Sequence, residues 1–85
     1  MPDQIYVSGV VVDASDSTAP EVQKILTRSG SNILSRSGIP DPTGSRGIIT
    51  VTMKADQEVS RRIEHELTSI GGVQARAFSL SDPLA

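Results

Sequence analysis

The residues best suited to binding an anion stand between two predicted strands, in the stretch Thr43-Gly44-Ser45-Arg46-Gly47. Its backbone amides, two hydroxyls and one guanidinium are groups that can surround an anion. A phosphate-binding loop, however, runs into a helix, and a Walker motif carries Gly-Lys-Ser/Thr, whereas a strand follows here. The pattern therefore favours a hairpin connection rich in turn-forming residues. Arg36, Ser45 and Arg46 are retained as candidate contacts for an acidic ligand or partner.

Carboxylates that could do acid–base chemistry occur in one predicted loop, where Asp13 and Asp16 alternate with Ser15 and Ser17. Paired carboxylates divide the roles of acid and base when they are buried. This loop precedes a predicted helix and is expected to be solvated, with its negative charge favourably placed at the helix N-terminus. Asp13, Ser15 and Asp16 are therefore candidate ligand contacts, and no residue is assigned a catalytic role.

A metal or cofactor site is not predicted. The sequence has no cysteine and a single histidine, His65, on a predicted helix. His65 lies between Glu64 and Glu66 and off the apolar stripe of that helix, which is typical of a solvated surface. We expect neither a metal nor a cofactor.

The length and composition of the chain limit the classes of protein to which it can belong. A chain of 85 residues suffices for one domain, expected to have its core at about 4–80 and a loose tail at 81–85. The formal net charge of −2 is unlike that of a duplex-binding protein, and only Tyr6 and Phe78 could stack on RNA bases. No apolar run is long enough for a membrane span. We expect a cytoplasmic protein that binds neither nucleic acid nor membrane directly.

Periodicity predicts the elements that must position these residues. Strands are predicted at 4–12, 32–37, 47–54 and 73–80, with one helix beginning at Thr18 and another capped by Asp56. The order βαββαβ is that of the α+β, ferredoxin-like split-βαβ sandwich, with an antiparallel sheet ordered 4-1-3-2. The most apolar predicted strands, the first and third, are the central ones in that order.

The first strand is apolar on both of its faces, although two helices can cover only one face of such a sheet. We expect Val7 and Val11 to lie under the helices, with Gly9 permitting close helix approach. The opposite face would then be covered by a second copy of the chain, giving a homodimer or homotetramer. The residues expected at that interface are Tyr6, Val10, Val12, Thr50 and Thr52.

Three segments resemble one known family. They are Ile33-Leu34-Ser35-Arg36-Ser37-Gly38-Ile39-Pro40, Arg46-Gly47-Ile48-Ile49-Thr50-Val51 and Ile70-Gly71-Gly72-Val73. Together they resemble the small ACT-like iron-only hydrogenase system regulators, from Ile5 to Leu80. The resemblance implies an ACT-like fold, self-association and a regulatory role, and it carries no catalytic residue. Amino-acid-binding ACT domains usually have a glycine-bearing turn after the first strand, which the loop 13–17 lacks.

These observations predict a non-enzymatic regulatory or ligand-sensing module that acts as a homo-oligomer. Its small-molecule effector is expected near the first loop or the hairpin loop, at a subunit boundary. Regulation of transcription would require a separate protein partner, because no DNA-binding surface is predicted. The alternative is a small-molecule or anion-binding enzyme that uses the loop carboxylates and Arg46.

Overall fold

The computed structural model of the chain describes residues 3–13, 18–40 and 46–80, and these residues form six elements. They are β1 (Gln4–Val12), α1 (Thr18–Arg28), β2 (Ile33–Pro40), β3 (Gly47–Ala55), α2 (Gln57–Thr68) and β4 (Val73–Ser79). The four strands form one antiparallel sheet in the order β2-β3-β1-β4, which confirms the α+β, ferredoxin-like prediction. The candidate residues Ser15, Asp16 and Ser45, and the tail 81–85, lie outside the described residues.

Strand β2 is longer than its sequence indicates. Gly38, Ile39 and Pro40, expected in a loop, pair with Ile49, Ile48 and Gly47 of β3. Proline lacks a donor and is tolerated at a strand end on a sheet edge, which is where Pro40 lies. The β2–β3 hairpin therefore extends further than predicted.

Helix α2 begins as the sequence predicts. The Asp56 side chain accepts a hydrogen bond of 2.8 Å from the Val59 amide, an N-cap that satisfies one amide left open by the first turn. Ile63 and Leu67 of this helix are buried in the core. No described helix has the length and apolar character needed to cross a membrane.

The expected placement of Tyr6, Val10 and Val12 at an interface is wrong. Their exposed fractions are 7%, 0% and 5%, because they lie under the helices in the core of their own chain. The Tyr6 hydroxyl at the margin of the core donates to Gln4 Oε1 at 2.6 Å. A residue already buried by its own helices has no surface to offer a partner.

The strand register explains the error. Ser8 pairs with Val51 and Tyr6 pairs with Met53, so even-numbered residues of β1 share a face with odd-numbered residues of β3. Alternation in β1 alone separates its two faces but does not say which face the helices cover. Gly9 consequently lies on the uncovered side, where an added Cβ would meet nothing within 4 Å, and it makes no room for a helix.

Candidate functional site

A cavity of about 370 Å³, which we call the end cavity, opens where β1 and β2 end and where α1 and β3 begin. Antiparallel pairing brings these strand ends together, because Val12 and Pro40 both lie opposite Gly47. The cavity is lined by Val12, Asp13, Ala19, Val22, Gln23, Gly38, Ile39, Pro40, Arg46, Gly47, Ile48 and Ile49.

The wall of the end cavity is apolar and its polar residues are exposed. Val12 and Val22 are buried, and Ile49 packs against the core from β3. Among the described lining residues, Asp13, Gln23 and Arg46 are polar or charged, and all three are exposed. An apolar wall with a few polar groups around it is the usual chemistry of a small-molecule site.

Gly38 contributes to the wall without a side chain. It lies opposite Ile49 on β3, and therefore on the side of the sheet that faces the helices. A Cβ added at Gly38 would be 3.9 Å from Ile49 Cγ1 and 4.0 Å from the Ile48 carbonyl oxygen, which are ordinary contact distances. The backbone at this position therefore accepts a side chain, and a large one would occupy cavity space.

Asp13 is held by the turn that connects α2 to β4. Its backbone amide donates to the Gly72 carbonyl oxygen at 2.9 Å. One of its carboxylate oxygens, Oδ2, lies 2.8 Å from the position that a Gly72 Cβ would take. The carboxylate of Asp13 is thus directed to Gly72, beside a smaller cavity that Arg46 and Asp13 also line.

The structure brings together only part of the predicted ligand-binding set. Asp13 and Arg46, 33 positions apart, line the same cavity. Arg36 is exposed on β2 and is not among the residues that line it. The sequence analysis did not identify Val22 and Gly38 as lining residues of this cavity. The available signal was that several predicted strands terminate at the same end of the sheet.

The side of the sheet away from the helices, which we call the open face, carries two cross-strand groups of apolar residues. Val7 pairs with Phe78, and Val11 pairs with Ile48, which in turn pairs with Ile39. Phe78 and Ile39 are 63% and 58% exposed. Thr50 and Thr52, predicted at an interface, do lie on this face opposite Gly9 and Val7.

Elsewhere on the described surface, an ion pair joins the two helices. Arg28 of α1 contacts Glu66 of α2 at 2.8 Å, which joins the two helices at the surface. His65 is exposed on α2. Within residues 3–13, 18–40 and 46–80, no three acidic or histidine side chains are grouped as a metal ion would require.

Comparison with known proteins gives a family and a fold. Residues 4–77 match the model of the TM1266-like family, described as "Iron-only hydrogenase system regulator, putative". A comparison with curated proteins gives no match.

Solved structures show the same fold. Protein TM1266 from Thermotoga maritima is 24% identical, with a TM-score of 0.89, over 93% of this chain and 99% of that one. The C-terminal domain of MgtC from Mycobacterium tuberculosis is 14% identical, with a TM-score of 0.74, over 96% and 93%. A formyltetrahydrofolate deformylase from Pseudomonas putida is 13% identical, with a TM-score of 0.61, over 87% of this chain and 28% of that one. At these identities the likeness concerns the fold alone.

Proposed function

Because the chain belongs to the TM1266-like family of iron-only hydrogenase system regulators, we propose that it is a non-enzymatic regulatory module that works as a homo-oligomer and senses a small molecule. The observation that carries the proposal is the open face, where Val7, Val11 and Phe78 lie on a side of the sheet that neither helix covers. Exposed apolar side chains on an uncovered sheet face are typical of interaction sites.

The open face has the size of a weak dimer interface. Four strands about 4.8 Å apart and about 25 Å long cover roughly 450–500 Å². Two copies would therefore bury roughly 900–1,000 Å² in total, which is the size of a weak, transient interface. Lys54 lies near the end of β3, and Arg76 lies on the edge strand β4. Both charged residues are therefore placed at the rim of the proposed interface, which remains solvated.

A second copy of the chain is the occupant that this face fits best. A two-fold arrangement places the same patch on both subunits, so the open face of one subunit covers that of the other. A dimer is the smallest assembly that satisfies this, and a tetramer would need a further contact. The end cavity supports the sensing part of the proposal, since its apolar wall can enclose a small molecule.

The wider proposal concerns cell context. A chain with no cysteine suits the reducing cytoplasm, where disulfides are rare. Control of transcription would proceed through a separate protein partner, since the net charge of −2 supplies no basic surface for DNA. The enzyme alternative, with loop carboxylates and Arg46 in catalytic roles, is not favoured beside a family described as a regulator.

Light scattering on two matched variants tests the proposed assembly. Val7→Asp introduces a carboxylate on the open face and is expected to yield monomer. Thr27→Asp introduces the same charge on the exposed side of α1 and is expected to leave the oligomer intact. If both variants keep the mass of the unmodified oligomer, the open face is not the interface.

A further inference from the structure

We propose that the end cavity binds a small molecule with an apolar body and a single anionic head group, with the head at Arg46. The proposal rests on the sensing role proposed above and names the class of ligand. Three observations carry it: the volume of the cavity, the nature of its wall, and the position of its charged residues.

The volume limits the size of the ligand. A cavity of about 370 Å³ lies near the lower end of the range for small-molecule sites. At about 30 Å³ for each water in the liquid, it corresponds to about a dozen water-sized groups. The enclosed part of a ligand therefore has about a dozen non-hydrogen atoms.

The wall determines the body of the ligand. Val12, Val22 and Ile49 come from a strand, a helix and another strand, and none of the three side chains offers a hydrogen-bond donor or acceptor. A polar ligand body placed against them would lose its hydrogen bonds to water without replacement. An apolar body removes this surface from water and is favoured.

The charged residues determine the head group. Arg46 is the cation among the described lining residues, and Asp13 is the acid. The Asp13 carboxylate is directed to Gly72, with its Oδ2 2.8 Å from the position of a Gly72 Cβ. A guanidinium recognises carboxylate and phosphate oxygens by charge and by paired hydrogen bonds. These positions favour an anionic head group over a cationic one.

Amide chemical shifts of the isotope-labelled protein test this class of ligand with three probes of equal chain length, namely hexanoate, hexan-1-ol and hexylamine. Hexanoate is expected to shift the amides of Val12, Val22 and Ile49, with a Kd on the order of a millimolar for so small a molecule. Hexan-1-ol is expected to bind more weakly and hexylamine most weakly. Equal binding of all three probes, shifts confined to the open face, or no shift at all would each overturn the proposal.

Two variants separate the head from the body. Arg46→Gln is expected to weaken hexanoate about two- to fivefold, the effect of one exposed charge pair, and to leave hexan-1-ol unchanged. Lys54→Gln removes the same charge from the opposite end of β3 and is expected to change neither. Loss of hexanoate affinity in both variants would show that only net charge matters, which contradicts a head group at Arg46.

Gly38→Val tests the cavity itself. A valine here is accepted by the backbone and fills cavity space, so all three probes are expected to lose binding. Ser37→Val, on the opposite side of the same strand, is the matched control and is expected to bind as the unmodified protein does. Unchanged binding in Gly38→Val would place the ligand elsewhere, and Arg46→Gln remains decisive if Gly38→Val does not fold.

Failure of the proposed ligand site can be distinguished from failure of the proposed assembly. Failure of hexanoate to bind leaves the light-scattering result on Val7→Asp untouched, because Val7 is not among the lining residues. Conversely, if the protein is monomeric and binds hexanoate at Val12 and Val22, the proposed ligand site is supported and the proposed homo-oligomer is contradicted.

Discussion

Asp13 and Gly72 lie in direct contact at the end of the sheet, with the Asp13 amide donating to the Gly72 carbonyl oxygen at 2.9 Å. The carboxylate of Asp13 occupies the space next to the Gly72 Cα, where a Cβ would be 2.8 Å from Oδ2 and 3.0 Å from the Asp13 Cβ. Gly72 also has a φ of 85°, a backbone conformation that favours glycine. The α2–β4 turn thereby fixes the residue that leads from β1 towards the end cavity.

Gly72→Ala is expected to destabilise the fold by about 1–3 kcal/mol, because it combines an unfavourable φ with a clash against Asp13. Gly71→Ala is the matched control, since a Cβ there meets nothing within 4 Å and Gly71 has no positive φ. Urea unfolding of both variants gives the comparison. Equal midpoints for the two variants would mean that the contact between Asp13 and Gly72 imposes no constraint.

Glu64→Ala is expected to lower the free energy of unfolding by about 1–3 kcal/mol. The Glu64 side chain accepts the Ala77 backbone amide at 2.7 Å, and Ala77 belongs to the edge strand β4. Removing the acceptor leaves a partly buried amide without this partner. Glu64→Gln retains an acceptor oxygen and is expected to lose less. Glu58 is an exposed residue of the same helix. If Glu58→Ala lowers the free energy of unfolding as much as Glu64→Ala does, the loss comes from helix electrostatics and not from the hydrogen bond to Ala77.

Cysteine labelling offers a site-specific test of the open face, because the chain contains no cysteine of its own. Val7→Cys is expected to react with iodoacetamide more slowly as the protein concentration rises, since association covers the residue. Thr27→Cys, on the exposed side of α1, is expected to react at a rate that does not depend on concentration. Rates independent of concentration at both positions would contradict coverage of the open face.

Hexanoate is expected to change the dimer dissociation constant. Ile39 and Ile48 line the end cavity and also lie in one row with Val11 on the open face. A ligand that displaces these two residues alters both surfaces, and by reciprocity association must alter hexanoate affinity by the same factor. Titration at low and high protein concentration measures the coupling; identical Kd values at both would show that site and interface are independent.

Local sequence signals were sufficient for the elements, except for the end of β2. The β-branched run predicted β1 over its full observed length, and Asp56 followed by apolar residues at helical spacing predicted the start of α2. Gly38, Ile39 and Pro40 read as a turn because of their residue types. Their place in β2 depends on pairing with β3, which local propensity does not contain.

The face of β1 could not be read from alternation, because both of its sides are apolar. In the register with β3, Ser8 lies opposite Val51, which is a core residue. Tyr6 and Val10 share this face with Ser8 and are therefore core residues as well. In the candidate site, too, residue types could be read from the sequence but their spatial arrangement could not. Arg46 and Asp13 were candidates by residue type, whereas their common cavity follows from where the strands end.

Sedimentation velocity of the unmodified protein, over a range of concentration, tests the central claim of assembly through the open face most directly. A subunit of 9.0 kDa is expected to sediment with twice that mass at tens of micromolar, and to dissociate on dilution. Val7→Asp at the same concentrations is expected to remain at the mass of one subunit. A single species of 9.0 kDa for the unmodified protein throughout the range would contradict the proposed homo-oligomer.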